Sequence, residues 1–457
     1  MRYYLFILGC QMNVSDAERL RTVLNGANYQ ETTDEKSADL IVVVACSVRQ
    51  TAIDRIYGKL QMWKKLKTTN HNLKTILTGC VLPADKKLLE SKFDFVFDIK
   101  EITQLPKLIT SRDKKQKTRG KKISNYFKIL PTQTSKFSAQ VPIMTGCDNF
   151  CTYCAVPFTR GREVFRPAKE IIAEVKDLIK RNYKDITLLG QNVNSYGKKF
   201  TLSASTSGRG WHEASGERNF LNLIKEIDKI KGNYWVRFTS NHPKDFSLGL
   251  IKFLKTSKHF AKYIHLPVQS GSDKILKAMK RPYKIADYIK LAQKIKKNIP
   301  EVCLTTDVIV GFPGETKTDF KKSCDLFKKI KYDLAYISQY SPRPGTPSAK
   351  LKDNVSRAEK KRRELFLNEI LAQTALEQNK KLVGKNIKIL IEKPAQAGSA
   401  LGRNYALART STLKTVKIYP ITLSKGAEIK TGTKKLVPGE FAIVNIFSTT
   451  AWKLEGK

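Results

Sequence analysis

The feature that most constrains this chain is the segment MTGCDNFCTYCAVPF, which places Cys147, Cys151 and Cys154 in a C-x3-C-x2-C spacing, called here the core triad. One short loop can wrap three thiolates around a single inorganic centre. A four-iron, four-sulfur cluster held by only three cysteines keeps one iron open for a further ligand. The alternative is a zinc knuckle with a distant fourth ligand, but neither His nor Cys follows within the next twenty residues. The motif therefore predicts an iron-sulfur cluster with an open coordination site.

Three further cysteines, Cys10, Cys46 and Cys80, each end a short apolar run typical of a β-strand and are called here the N-terminal triad. Between the first two runs, Ser15 and Glu18 have the spacing of a capping box, which predicts the start of a helix. Alternating strands and helices predict a parallel sheet. Because ligands gather at the carboxyl edge of such a sheet, we expect the three thiols to converge. The alternative is three buried structural cysteines.

Length and charge add two further constraints. The 457 residues are enough for about three domains, and 84 Lys and Arg against 41 Asp and Glu give a formal net charge of +43. This excess favours a nucleic-acid partner through counterion release, although a lysine-biased solvated surface has the same composition. No apolar run reaches the roughly 18 residues that cross a bilayer, and no small-residue cleavage site follows the first run. We therefore expect a cytoplasmic protein without a membrane contact.

From Val141 onward, strand-like apolar runs alternate with helical segments, and six strands are predicted. This pattern predicts an open, partial (β/α)6 barrel. The core triad directly follows the first strand, at the carboxyl end where barrel active sites assemble. Cys303, in a strand-like run, and Cys324, at helical spacing with apolar neighbours, are predicted core residues. The polar stretch 199–219 predicts a surface loop.

The last part of the chain predicts a small β-barrel, because a helical stretch from Ser356 to Lys381 precedes several short alternating strands. Basic residues lie there among aromatic ones, a composition that suits RNA contact and equally an ordinary solvated face. The basic candidates for RNA contact are Arg403, Arg409, Lys414 and Lys417. Upstream of the six strands, the basic, apolar-poor stretch 111–122 predicts a linker.

Taken together, these features resemble the radical S-adenosylmethionine methylthiotransferases over essentially the whole chain. The resemblance rests on LGCQMN, ACSVR and TGC at the N-terminal triad and on CDNFCTYC followed by VPFTRGRE at the core triad. The stretches LLGQNVNSYG, RFTSNHP, HLPVQSGSDKIL, DVIVGFPGET and SPRPGTPSAK are similar to members that act on isopentenylated adenosine in tRNA.

The resemblance implies an α/β protein of three domains. Residues 1–118 would form a parallel α/β domain for an auxiliary cluster, and 119–135 a basic linker. Residues 136–375 would form a radical S-adenosylmethionine core with an open, partial, TIM-like barrel. Residues 376–457 would form an antiparallel β-barrel of the RNA-binding TRAM type.

The resemblance also implies the cofactors, which are two 4Fe-4S clusters and S-adenosylmethionine. The cluster on the core triad would chelate S-adenosylmethionine, and the auxiliary cluster on the N-terminal triad would present sulfur. Eight further residues would contact S-adenosylmethionine, although strand-end turns and a surface salt bridge explain some of them equally well. They are Gly190, Gln191, Asn192, Ser240, Gln269, Gly311, Gly314 and Arg343.

The expected reaction adds a methylthio group to C2 of N6-isopentenyladenosine beside the anticodon. The expected partners are tRNA and an electron donor such as a flavodoxin or ferredoxin, and the protein is expected to be a monomer. Three alternatives stay open: methylthiolation of threonylcarbamoyladenosine in tRNA, methylthiolation of an aspartate on a ribosomal protein, and a non-catalytic iron-sulfur protein that binds RNA.

Overall fold

The computed structural model describes residues 1–110, 124–197, 220–394, 405–419, 430–431 and 434–457. Within them lie a five-stranded sheet, two three-stranded sheets and a closed five-stranded barrel, in that order along the chain. No helix in these ranges is long and apolar enough to cross a membrane. The predicted linker 111–122, the predicted loop from 199 to 219 and Arg403 lie outside the described residues.

The N-terminal sheet is parallel, as predicted, with strand order β2-β1-β3-β4-β5. Its elements are β1 (Arg2–Ile7), α1 (Gln11–Gly26), β2 (Gln30–Glu31), β3 (Leu40–Cys46), α2 (Gln50–Thr69), β4 (Lys74–Cys80), α3 (Pro83–Leu89), β5 (Phe95–Val96) and α4 (Leu105–Thr110).

Strand β3 is apolar without alternation because both faces of this sheet are covered. Leu40, Val42 and Val44 pack into one hydrophobic cluster with α1, whereas the residues between them pack into a second cluster with α2. A parallel sheet covered on both faces leaves only its strand ends accessible, which is where the cysteines stand.

The predicted start of α1 at a capping box of Ser15 and Glu18 is wrong. Helix α1 already begins after Cys10, its N-cap residue, so both side chains lie inside the helix. Their polar atoms have other partners: the Ser15 hydroxyl accepts from Arg19 at 2.7 Å, and Glu18 accepts from the backbone of Thr134 at 3.0 Å. The early start places Cys10 at the positive end of the helix.

The central region contains all six predicted strands, all parallel, in two sheets with orders β6-β9-β10 and β11-β12-β13. The elements are α5 (Ser124–Lys128), β6 (Ser138–Pro142), β7 (Met144–Thr145), α6 (Val156–Thr159), β8 (Val164–Phe165), α7 (Ala168–Lys180), β9 (Asp185–Leu189), α8 (Phe220–Asp228), β10 (Trp235–Phe238), α9 (Leu248–Thr256), β11 (Tyr263–His265), α10 (Asp273–Ala278), α11 (Ile285–Asn298), β12 (Cys303–Val310), α12 (Lys317–Ile330), β13 (Leu334–Gln339) and α13 (Arg357–Lys380).

A parallel bridge between Val236 and Phe260 joins the two sheets, so the six strands follow one another in chain order. The helices pack on one face through apolar side chains at helical spacing, such as Ile171, Val175 and Leu178 of α7. Strands alternating with helices on one side are the architecture that the sequence predicts. As predicted, Cys303 and Cys324 are buried.

The C-terminal region contains the predicted small barrel, closed in the order β14-β15-β16-β20-β19. Its strands are β14 (Asn386–Lys393), β15 (Ala406–Thr410), β16 (Thr415–Ile418), β17 (Lys430–Thr431), β18 (Lys434–Lys435), β19 (Phe441–Thr449) and β20 (Lys453–Gly456). Two details differ from the prediction. Strands β16 and β20 pair in parallel, and among the described residues β17 pairs with β18 in a separate two-stranded sheet. The barrel closes through β20, a strand too short and polar to be recognised in the sequence.

The barrel packs against the central region through paired charges and aromatic rings. Helix α13 runs continuously through residues 375 and 376, and Lys414 reaches Asp333 at 2.7 Å and Asn379 of α13 at 2.7 Å. The rings of Trp235 and Phe441 pack against each other at a tilt of 58°, with centroids 4.6 Å apart.

Replacing Lys414 by Met should therefore lower the free energy of unfolding by about 3 kcal/mol, because it leaves the buried Asp333 carboxylate without its cation. Denaturant unfolding followed by circular dichroism measures the change. Lys453→Met, at an exposed lysine of β20, is the matched control and should stay within about 0.5 kcal/mol of the parent. Equal losses in the two variants would contradict the structural role of Lys414.

Candidate active site

The core triad lies in one loop that is closed at its base by a two-stranded ribbon. Strands β7 and β8 pair Met144 with Phe165 and Thr145 with Val164. Gly146 begins the loop at φ +85°, where an added Cβ would collide with the carbonyl oxygen of Arg162. Glycine is thus the residue that this turn accepts before the first cysteine.

The three thiols of this loop lie close together and away from water. Burial raises the pKa of Cys147 to about 11 and that of Cys154 to about 12, and the neighbouring Cys151 thiol adds to both. The guanidinium of Arg281 lies 3.7 Å from the Cys151 sulfur. A group of free thiols beside a cation suits an iron-sulfur centre, because the thiols lose their protons when they bind iron.

The N-terminal triad converges at the carboxyl ends of its strands, as predicted. Cys46 and Cys80 are partners across β3 and β4, and the thiols of Cys46 and Cys10 act electrostatically on Cys80. The side-chain oxygen of Asn13 lies 3.6 Å from the Cys10 sulfur and 3.9 Å from the Cys80 sulfur. Asn13 was not singled out from the sequence, although the motif LGCQMN contains it.

Two of the three N-terminal cysteines, Cys10 and Cys80, follow a glycine with positive φ. Gly79 has φ +101°, and an added Cβ would lie 2.5 Å from the carbonyl oxygen of Ala45. Close approach of β3 and β4 at this point brings Cys46 and Cys80 side by side. In the described ranges no group of three His, Cys, Asp or Glu side chains has the geometry of a metal-ion site, and the binding of a cluster by either triad stays a prediction.

Arg160 connects the two triads. It was not identified from the sequence as a functional residue, although the motif VPFTRGRE contains it. It lies in the loop of the core triad, yet its Nε donates to the Cys80 sulfur at 2.8 Å and its Nη2 to Asp16 of α1 at 2.5 Å. The hydroxyl of Tyr126 also donates to Asp16, at 2.5 Å. Burial alone lowers the pKa of Arg160, but Asp16 and Cys80 raise it, so the guanidinium stays charged.

Five of the predicted S-adenosylmethionine contacts lie at strand ends of the central sheets. Ser240 and Gln269 have left-handed backbones, φ +65° and +73°, a strained conformation that is concentrated at functional sites. The Oε1 of Gln191 and the Oδ1 of Asn192 are buried acceptors without a hydrogen-bond partner among the described residues. Such acceptors suit the ammonium group of S-adenosylmethionine. Gly190, next to them, packs against Met144.

The other three predicted contacts have partners within the protein. The backbone of Gly311 donates to Glu315 at 2.6 Å, and that of Gly314 donates to Asn354 at 2.8 Å. Arg343 is buried and donates to Asp85 of α3 at 2.8 Å and to Gln50 of α2. Arg343 therefore ties the central region to the N-terminal sheet. Contact of these three residues with the cofactor stays a prediction.

A polar column on the face of β11 and β12 opposite the helices was also missed. The Thr305 hydroxyl donates to the Tyr263 oxygen at 3.3 Å and lies 2.9 Å from Nδ1 of His265. The Nε2 of His265 lies 3.1 Å from Asp307. The motifs HLPVQSG and DVIVGFPG contained His265 and Asp307, but only the pairing of adjacent strands brings them together.

The basic residues predicted to contact RNA divide into two groups. Arg409 is paired with Asp185 and Glu392, and Lys414 with Asp333, so both cations are neutralised inside the protein. Lys417 lies over the ring of Tyr405 at 4.5 Å. RNA contact by these residues stays a prediction.

An aromatic face surrounds Lys417 on the C-terminal barrel. Tyr419 lies 5.8 Å from Tyr405 and 6.1 Å from the half-exposed Phe447. Lys457 lies over Phe447 at 5.9 Å. We call these five residues the aromatic-basic face.

Comparison with known proteins places this geometry in a class. Residues 141–327 match the Radical SAM superfamily, and residues 2–98 match the uncharacterized protein family UPF0004. A solved structure of the radical S-adenosylmethionine methyltransferase TsrM from Kitasatospora setae shares the fold with a TM-score of 0.53 at 12% identity, over 88% of this chain and 79% of that one. The fold and the core triad thus define a radical S-adenosylmethionine enzyme, which uses S-adenosylmethionine and a 4Fe-4S cluster.

Curated relatives narrow the class further. A tRNA-2-methylthio-N(6)-dimethylallyladenosine synthase of Carboxydothermus hydrogenoformans is 40% identical over 85% of this chain and 88% of the relative. Another, of Thermoanaerobacter sp., is 37% identical over 100% of this chain and 92% of the relative. The chain belongs to the tRNA-2-methylthio-N(6)-dimethylallyladenosine synthase family.

The two triads should hold independent clusters. Replacing all three cysteines of either triad by Ala should halve the iron and sulfide bound after anaerobic reconstitution, because each site keeps its own ligands. Colorimetric iron and sulfide analysis measures this. The double variant Cys303→Ala, Cys324→Ala should bind as much iron as the parent, since both thiols are core residues. Full iron content in either triple variant would overturn the assignment of that triad.

Proposed function

We propose that this protein transfers a methylthio group to C2 of N6-isopentenyladenosine beside the anticodon of tRNA. The observation that carries the proposal is the presence of two three-cysteine sites, each at strand carboxyl ends, joined by Arg160. One cluster site is enough for the radical cleavage of S-adenosylmethionine. A second cluster provides a separate site that can bind the sulfur to be transferred. The curated relatives are named for synthesis of this methylthio-modified nucleoside, which supports the proposed reaction.

Each triad has a distinct task in this proposal. The core triad holds the cluster that binds S-adenosylmethionine, and the N-terminal triad holds the auxiliary cluster. When bound, the reduced cluster and S-adenosylmethionine supply radical chemistry at an unactivated C–H bond. The electron comes from a small donor such as a flavodoxin or ferredoxin, and the protein acts as a cytoplasmic monomer.

The residues at the strand ends orient S-adenosylmethionine. Gln191 and Asn192 offer their unpartnered acceptors to its ammonium group, and the left-handed backbones of Ser240 and Gln269 turn the chain around it. Gly311 and Gly314, at φ +69° and +82°, allow close backbone approach to the adenosyl group. Binding in this cleft keeps water away from the reacting atoms.

The substrate base enters the face opposite the helices. A cavity of about 200 Å³ opens between the central sheets and the C-terminal barrel, lined by Tyr263, Thr305, Tyr336, Lys414 and Trp452, among others. The polar column of His265 and Asp307 continues from this cavity towards the strand carboxyl ends. Its donors and acceptors match the edge of a purine, and its aromatic rings suit an unstacked base.

The C-terminal barrel, from residue 376 onward, binds the tRNA as a TRAM-type domain, with residues 1–118 and 136–375 as the other two domains. The aromatic-basic face combines rings for stacking with lysines for phosphate, which is the composition of single-strand RNA sites. The lysines of this face, which are part of the chain's excess of positive charge, attract the phosphates of the tRNA.

Product analysis tests the reaction. The reconstituted, reduced protein is incubated anaerobically with S-adenosylmethionine, sulfide and either isopentenylated or threonylcarbamoylated tRNA, and nucleosides are analysed by mass spectrometry. We expect a methylthio group on isopentenyladenosine alone, and no product from Cys80→Ala or Cys151→Ala. Cys303→Ala is the matched control and should keep the activity. Product only on threonylcarbamoyladenosine would reject the proposed substrate, and 5′-deoxyadenosine release without a tRNA product would reject tRNA itself.

Binding measurements test the RNA surface. Lys417→Ala should weaken tRNA binding and reduce the slope of log affinity against log salt by about 1, since one phosphate contact is lost. Phe447→Ala should cost about 1–3 kcal/mol of binding with little change in that slope, because stacking is lost instead. Lys87→Ala, at an exposed lysine of α3 in the N-terminal region, is the control. If Lys87→Ala weakened binding as much as Lys417→Ala, the aromatic-basic face would not be the binding surface.

A further inference from the structure

Arg160 belongs to one cysteine site by sequence and to the other by contact. It follows Cys154 by six residues in the loop of the core triad, but its Nε donates to the sulfur of Cys80, 80 residues away in the chain. Its Nη1 and Nη2 both donate to Asp16, at 3.3 and 2.5 Å. All three edges of the guanidinium therefore point at the N-terminal triad or at the helix that follows Cys10.

This arrangement holds the guanidinium firmly. The side chains of Arg160 and Asp16 are only 3% and 0% exposed, and Tyr126 fixes the Asp16 carboxylate by a further hydrogen bond. A bidentate pair to a carboxylate restricts both the position and the plane of the guanidinium. The pair with Asp16 fixes the direction of the remaining Nε–H bond, and this bond points at the Cys80 sulfur.

The core triad has a counterpart. Arg281 is buried, donates to the carbonyl of Pro267 at 2.7 Å, and points a second nitrogen at the Cys151 sulfur at 3.7 Å. Each triad thus has one buried arginine directed at one sulfur. Another buried arginine, Arg166, directly follows β8 and pairs with Glu174 and Glu170, and among the described residues no cysteine is its partner. The direction towards sulfur is therefore not a general property of buried arginines here.

We propose that Arg160 is a positioning residue of the auxiliary cluster site. Through it, the central region supplies a hydrogen bond to a cysteine of the N-terminal triad. The hydrogen bond from Arg160 to the Cys80 sulfur stabilises the more negative, reduced state of a cluster held there. The auxiliary cluster should accordingly be easier to reduce, and slower to lose iron, than its three cysteines alone would make it. The inference rests on the proposed function only in placing a cluster on the N-terminal triad.

The experiment uses the full chain with Cys147, Cys151 and Cys154 replaced by Ala, so that the auxiliary cluster is the one observed. The midpoint potential is measured by a dye titration followed by electron paramagnetic resonance, and iron loss by its transfer to a chelator. Adding Arg160→Gln should move the potential to a more negative value and speed iron loss about 10- to 100-fold. Arg160→Lys keeps a cation but has fewer donors in a fixed plane, so it should fall between parent and Gln variant.

Arg166→Gln is the matched control, because it breaks a buried ion pair close in the chain to Arg160, and its partners are glutamates rather than a cysteine. It should lower the thermal stability while leaving the potential and the iron-loss rate at the parent values. If Arg160→Gln does the same as this control, Arg160 only holds the domains together and the inference is overturned. If Arg160→Gln does not fold, Arg160→Lys decides, and a parent-like potential there rejects the inference. Failure of the parent to bind any cluster would instead reject the proposed function.

Discussion

The carboxyl ends of parallel strands are the constraint on which both cysteine sites depend. In a parallel sheet covered on both faces, backbone and side chains are packed everywhere except at the strand ends, so polar and reactive groups gather there. Cys46 and Cys80 stand side by side because β3 and β4 end together, and Cys10 joins them at the start of α1. The core triad uses the same position in the central sheets, because it follows β6 and the short strand β7, which pairs with β8.

Buried ion pairs hold the three parts of the molecule in one arrangement. Arg160 and Arg343 join the central region to α1 and α3, through Asp16 and Asp85, and Lys414 joins it to the C-terminal barrel. Such pairs contribute little net stability because both charges lose their hydration, but their directed hydrogen bonds specify orientation. That property matters for the proposed function, in which two cofactor sites and an RNA-binding surface act on one substrate.

Several features followed from the sequence because they depend on local patterns. The two triads, the six central strands, the parallel N-terminal sheet and the small barrel each leave a signature of spacing or periodicity within a short window. The errors arose where local signals compete. Ser15 and Glu18 have the spacing of a capping box, yet α1 starts at Gln11 because the chain leaves β1 through Gly9 and turns at once into the helix. Strand β20 pairs with β16 in parallel, a long-range contact without a local signal.

The sequence alone was enough to single out the six cysteines that we propose as cofactor ligands, because their spacing is one that few other chemistries need. It could not determine what surrounds them. Arg160, Arg281, Asn13 and the pair of His265 and Asp307 acquire their partners only when distant segments meet, as the 80 residues between Cys80 and Arg160 illustrate. Arg409 and Lys414 show the reverse, since tertiary contacts neutralise cations that the sequence offered to RNA. Ligand identity is a local property of the chain, whereas the electrostatic environment of a ligand is set by the whole fold.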